Sequence, residues 1–214
     1  LSSKPEYVSG GDALVAVRPA NAASPVVVKL NGTDVSSAFK PDPANPGQLV
    51  GLVTGVKDGA NTLVATADGA DASIALTGYP ATGPMISGPR ESPFVCTTEA
   101  FTLPDGTKLG APLDANCSVT RRVHYVYRTT DTKVYAPLAD LTARPANMAK
   151  VTNNVGKTVN YIVRVETGTI NRAIDQTAIL HDPVVDPAPS PLAPPAGWNR
   201  KAIYPLGGGC QGGW

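Results

Sequence analysis

Turn-forming residues recur along this chain too often for long helices to fit between them. In the first eighty residues Gly, Asn and Asp punctuate short apolar runs at a spacing of roughly 8–14 residues. Residues 12–17 alternate apolar and small side chains, and a second run follows at 26–30. The next dipeptide, Asn31-Gly32, is a strong hairpin signal, because both residues tolerate the positive φ angles of a tight turn. Further runs lie at 48–53, 61–66 and 72–76, with Lys57-Asp58-Gly59 as another turn. Short strands at this spacing predict a mainly β fold opening with an immunoglobulin-like β-sandwich over residues 1–80. The Cys…Trp…Cys core of antibody domains is missing, so only the general architecture is expected. No ionisable cluster here points to chemistry, and the region reads as a packing or binding module.

Composition agrees with the turn pattern. Gly and Pro contribute 21 residues each, and charged residues make up only 16% of the chain. That balance favours many turns over long solvated helices, and 214 residues hold one or two domains. Eighteen Lys and Arg against 17 Asp and Glu leave a formal charge of +1. This offers no electrostatic basis for binding nucleic acid or an anionic membrane. No run of about 18 apolar residues is present to span a bilayer as a helix. The start, Leu1-Ser2-Ser3, reads as a mature or trimmed N-terminus.

A turn-rich joint at residues 78–84, followed by Gly88-Pro89, marks the expected boundary to a second domain over residues 81–214. Three cysteines, Cys96, Cys117 and Cys210, leave one unpaired or paired with another chain. Cys96 and Cys117 bracket a turn segment containing Leu103-Pro-Asp-Gly-Thr107, and a disulfide between them is expected, two buried thiols being the alternative. A disulfide implies export, to the periplasm or outside the cell.

Residues 119–128 alternate as a strand with His124 on a polar face beside arginines, which reads as a partly exposed strand histidine. With two histidines and no Cys/His spacing, neither a metal nor a cofactor is expected. Residues 138–148 predict a short helix broken by Pro145. Residues 158–166 form the clearest strand, Gly168 and Asn171 mark a turn, and residues 172–180 fit either a strand or a helix, with a strand pairing back as a hairpin expected. A proline-rich connector over residues 183–197 should be extended and stiff, wrapping a surface before the chain re-enters the fold.

The last stretch concentrates the candidate chemistry. The apolar run 202–206 reads as a buried strand emptying into Gly207-Gly-Gly-Cys-Gln-Gly-Gly-Trp214. Five glycines around one Cys cost backbone entropy on ordering, which calls for close approach to the backbone or unusual N–H directions. A strand followed by Gly-Gly-Gly matches the loop of α/β-hydrolase serine enzymes whose N–H groups help build the oxyanion hole. Here Pro205 or Leu206 stands where that motif often has His. On this reading the backbone at Gly208, Gly209 and Cys210 supplies donors to the negative oxygen of a tetrahedral intermediate.

The chain also resembles, over nearly its full length, a bacterial family of secreted, largely uncharacterised tannase-like hydrolases. The likeness is carried by Val8-Ser-Gly-Gly-Asp-Ala-Leu-Val15, Leu49-Val-Gly-Leu-Val-Thr-Gly55 and Lys57-Asp-Gly-Ala-Asn61. Gly88-Pro89, Pro93-Phe-Val-Cys96, Glu166-Thr-Gly-Thr-Ile-Asn-Arg172 and the glycine-rich terminus complete it. The resemblance implies a sandwich followed by the first strands of an α/β-hydrolase-like domain. It also implies a nucleophile, acid and His lying further on, in a following segment or a second chain. The expected partners are that remainder of the enzyme and an ester or amide substrate, small or polymeric. Cys210 also fits G-x-[SC]-x-G as a nucleophile, although no helix follows it. Its other readings are a thiol paired with a cysteine elsewhere, or an inert one. Trp214 as the end of a self-cleaved amidase subunit, and a β-rich surface or binding protein without catalysis, remain as further alternatives.

Overall fold

The computed structural model describes residues 1–205 and is mainly β. The chain divides into two compact units, Leu1–Ser92 and Pro93–Trp214. In the first unit the strands are β1 (Val8–Ser9), β2 (Asp12–Val17), β3 (Val27–Leu30), β4 (Thr33–Asp34), β5 (Phe39–Pro41), β6 (Leu49–Thr54), β7 (Gly59–Ala67) and β8 (Ala70–Tyr79). They form a five-stranded sheet in the order β1-β8-β7-β3-β4 and a three-stranded sheet in the order β2-β6-β5. All pairings are antiparallel except β1 with β8.

Alternation places the core residues on the facing sides of these sheets. Val8, Val28, Leu30, Leu63 and Leu76 from one sheet share a buried cluster with Ala13, Phe39 and Val53 from the other. Two glycines make room. Phe39 pairs with Gly51, where a Cβ would stand 2.8 Å from the aromatic ring. At Gly78 a Cβ would stand 2.1 Å from the Lys57 carbonyl oxygen, so only glycine fits. The expected hairpin at Asn31-Gly32 joins β3 to β4, with φ of 50° and 83°. Asn61, 3% exposed, ties the Lys57 turn together: its carboxamide accepts the Lys57 N–H and donates to the Lys57 and Gly59 carbonyls.

The second unit contains β9 (Arg122–Arg128), β10 (Tyr135–Pro137), β11 (Lys150–Thr152), β12 (Thr158–Asn160), β13 (Ile162–Ile170) and β14 (Ala173–Leu180). Four of them make an antiparallel sheet in the order β10-β9-β13-β14, and β11 with β12 make a separate ribbon. The strand expected over 158–166 therefore splits in two. Tyr161 is the switch: its N–H donates to Ala149 and its carbonyl accepts the Arg128 N–H. The β13–β14 hairpin turns at Asn171-Arg172, both at positive φ (49° and 68°).

Two local expectations are corrected. Gly168 lies inside β13 rather than in the turn, because Arg121 crosses the sheet above it; a Cβ there would meet the guanidinium carbon at 2.9 Å. Residues 138–148 hold no helix. The Asp140 carboxylate accepts the Thr142 N–H and hydroxyl instead, a local turn that competes with helical bonding, and Pro145 follows.

Candidate functional site

Two buried polar residues of the second unit stand side by side where β14 ends and the proline-rich segment begins. Both His181 and Asp182 are buried, at 4% and 5% exposure. The His181 N–H donates to the Ile162 carbonyl, which fixes the chain as it leaves β14. Nε2 of His181 lies 2.9 Å from the Pro187 carbonyl oxygen. That oxygen can only accept, so Nε2 carries a proton. The other nitrogen, Nδ1, then accepts from the Tyr125 hydroxyl at 3.1 Å in the neutral ring. Burial pushes the Tyr125 phenol above its ordinary pKa, with the nearby Arg164 opposing that shift. Both ring nitrogens of His181 are committed to holding structure.

Asp182 anchors three parts of the unit. Its carboxylate accepts from Arg144 at 2.5 Å, from the Asn160 side chain at 2.9 Å and from the Val184 N–H at 3.1 Å. Asp186 closes the turn, accepting the Asp182 N–H at 2.9 Å and the Ala196 N–H at 3.0 Å. The Asn153 side chain donates to the Gly197 carbonyl at 3.2 Å. Gly197 packs so closely that a Cβ would meet Leu180 Cβ at 2.7 Å and Val159 Cγ2 at 3.2 Å. Residues 182–197 thus wrap the β11–β12 ribbon as a strap. Between strap and ribbon lies a half-open groove of about 570 Å³, lined by Lys150, Lys157, Thr158, Asn160, Asp182 and Asp186 among others.

Cys96 and Cys117 form a disulfide with 5.5 Å between their Cα atoms. The loop it closes meets the sheet through His124, whose Nε2 lies 3.2 Å from Asp105 Oδ2. The Asp105 carboxylate is held below its ordinary pKa, first by the Thr107 hydroxyl and N–H and to a smaller extent by His124. His124 Nδ1 is buried without a hydrogen-bond partner among the described residues. No Ser or Cys side chain is hydrogen-bonded to either histidine among the described residues, and no group of three His, Cys, Asp or Glu there is placed to hold a metal ion.

Gly208, Gly209 and Cys210, the residues expected to build an oxyanion hole, lie outside the described residues. The segment leading to them departs from expectation. Residues 202–205 form no strand, and Ile203 and Tyr204 are 92% and 84% exposed. A buried strand needs both a ladder partner and a covering face, and no described strand supplies either. From sequence alone no site is expected at residues 181–183. The local signal for this cluster is the pair Asp182 and Asp186 flanking a Pro, a spacing suited to a side-chain-capped turn.

The profile of a family described as a tannase-like family of unknown function matches residues 1–214. A search among curated proteins finds no match. Among solved structures, the tandem Ig repeats of Dlar are 14% identical, with 82% of this chain and 91% of that chain covered and a TM-score of 0.29. A titin fragment, Titin-A168169, is 9% identical, with 84% and 96% covered and a TM-score of 0.25.

Proposed function

The chain belongs to this tannase-like family across residues 1–214, and from that premise we propose that it is the β-rich part of a serine-type ester or amide hydrolase. Residues 1–80 serve as an accessory immunoglobulin-like sandwich. Residues 81–214 form the N-terminal part of an α/β-hydrolase-like domain. The N–H groups at Gly208, Gly209 and Cys210 serve as oxyanion donors, and the nucleophile, acid and His come from a following segment or a second chain. The disulfide fits work in an oxidising compartment, secreted or periplasmic.

The observation that carries this reading is that no Ser or Cys side chain is hydrogen-bonded to either histidine among the described residues. His181 is held by Tyr125 and Pro187, and His124 pairs with Asp105, while Cys96 and Cys117 are oxidised. Neither histidine is thus paired with a nucleophile among the described residues. A second reading, a binding module without catalysis, draws on Ile203 and Tyr204, an exposed apolar pair suited to a partner surface.

The test is hydrolysis of p-nitrophenyl acetate and butyrate by residues 1–214 alone, and by the natural polypeptide together with whatever follows or accompanies it. The expected result is turnover only by the latter. Turnover by residues 1–214 alone overturns the reading, and its loss in Cys210→Ala would move the nucleophile to Cys210. No turnover by either preparation favours the binding module.

A further inference from the structure

The groove beneath the strap meets the free edge of β12. Two bonds fix the hydrogen-bonding phase of the ribbon: Tyr161 N–H to Ala149 at 2.8 Å and Asn153 N–H to Lys157 at 2.9 Å. With Lys150 opposite Asn160 and Thr152 opposite Thr158, the register makes Val159 and Val151 a hydrogen-bonded pair. Residues of the alternate, non-bonded pairs turn their N–H and carbonyl groups away from the partner strand. Thr158 and Asn160 therefore aim one donor and one acceptor each away from β11, at the edge that the strap spans, and both residues line the groove.

The charged side chains around this edge are unequally satisfied. Asp182 is neutralised by Arg144 and further bonded to Asn160, and Asp186 accepts two backbone N–H groups. Lys150 and Lys157 are exposed and have no ion-pair partner among the described residues. Two unpaired ammonium groups and two outward N–H donors surround a concave space, and they outweigh the one carboxylate without a cation. This set calls for an anionic oxygen group. The remaining lone pairs, on the Thr158 and Asn160 carbonyls and on Asp186, call for hydroxyl donors on the same ligand. A groove of about 570 Å³ lies within the usual range for small-molecule sites, roughly 300–1,000 Å³.

We propose that the groove between the β12 edge and the 182–197 strap binds a small polyhydroxylated carboxylate, a sugar acid in chemical class. Lys150 and Lys157 take the carboxylate, and the β12 edge and Asp186 take the hydroxyls. The site draws on no residue of the glycine-rich terminus and does not depend on the hydrolase reading.

The experiment is an amide-resolved NMR titration of residues 1–214 with D-glucuronate, with D-glucose and NaCl at matched ionic strength as controls. The expected result is saturable shifts at Thr158, Asn160 and residues 182–186 with glucuronate alone. In Lys150→Ala/Lys157→Ala, both at exposed positions, the dissociation constant should rise at least about tenfold with the spectrum otherwise preserved. Three results overturn the proposal: no saturation up to tens of millimolar glucuronate, an equal response to glucose, or unchanged affinity in the double variant.

Discussion

The side-chain amide of Asn160 donates to the buried carboxylate of Asp182 at 2.9 Å, joining the β11–β12 ribbon to the strap that wraps it. The same carboxylate holds Arg144 from the turn region between β10 and β11. One side chain thus ties together three segments with little secondary structure of their own.

Replacing Asp182 by Asn keeps the volume but removes the charge that Arg144 meets. It also sets an NH₂ group against donors. Leaving buried partners unsatisfied costs about 1–3 kcal/mol per group, more where charge is involved. Asp182→Asn should lower the unfolding free energy of the second unit by about 2 kcal/mol in urea titration, Arg144 being partly exposed and so partly rescued by water. An unchanged midpoint would show that the strap is held by its other contacts.

The Cys96–Cys117 bridge joins residues 21 positions apart. In the chain-entropy account such a crosslink stabilises by roughly 3 kcal/mol. Cys96→Ala/Cys117→Ala should therefore lower the urea midpoint of the second unit's transition. The first unit, which holds no cysteine, should unfold as before. Separate tryptic time courses for the two units would check this.

Gly78→Ala is expected to destabilise the first unit by about 1–3 kcal/mol, because the added methyl meets a backbone carbonyl that cannot rotate away. Gly88→Ala, where nothing lies within 4 Å and the backbone is not left-handed, serves as the control and should change stability by less than about 0.5 kcal/mol. Thermal melts of the two variants decide the matter. Equal melting temperatures would mean that the sheet relaxes around Gly78.

Five turn aspartates, Asp34, Asp42, Asp105, Asp131 and Asp140, have pKa values lowered mainly by hydrogen bonds from nearby Ser, Asn or Thr side chains or N–H groups. Their folded values lie below the unfolded value of about 3.9, so near that pH the unfolded chain binds more protons. Stability from these caps is present above about pH 4 and is lost as pH falls through the lower folded values. Melting temperature should drop below about pH 4 as these carboxylates take up protons. Exchanging Asp for Asn at positions 105 and 140 together should shallow that drop.

If the backbone at Gly209 donates to a tetrahedral intermediate, Gly209→Pro in the active natural polypeptide removes one N–H. Loss of a single oxyanion donor typically lowers kcat by about 10²–10³-fold. The expected signature is that loss with KM nearly unchanged and an unaltered circular dichroism spectrum. A change confined to KM would place the loop in substrate binding instead.

The local code was readable where it is self-contained. Asn31-Gly32 specifies a hairpin because both residues accept positive φ, and the alternation of residues 12–17 and the apolar run within 61–66 specify strands. The mainly β class followed from turn spacing, and the tannase-like likeness lay in the residue strings themselves. The polar cluster at residues 181–186 could not be read this way. His181 and Asp182 draw their partners from Tyr125, Arg144 and Asn160, which lie 56, 38 and 22 positions away.

What the sequence by itself determined is the set of turns, the alternation of faces and the family. Each depends on interactions within a few residues or on the order of the letters. Only the tertiary structure decided that residues 158–170 change partners at Tyr161. The same holds for Gly168, kept in a strand beneath Arg121. In each case the deciding energy is a hydrogen bond, an ion pair or a packing contact with a segment distant along the chain. Local propensity carries no information about which distant segment will be there.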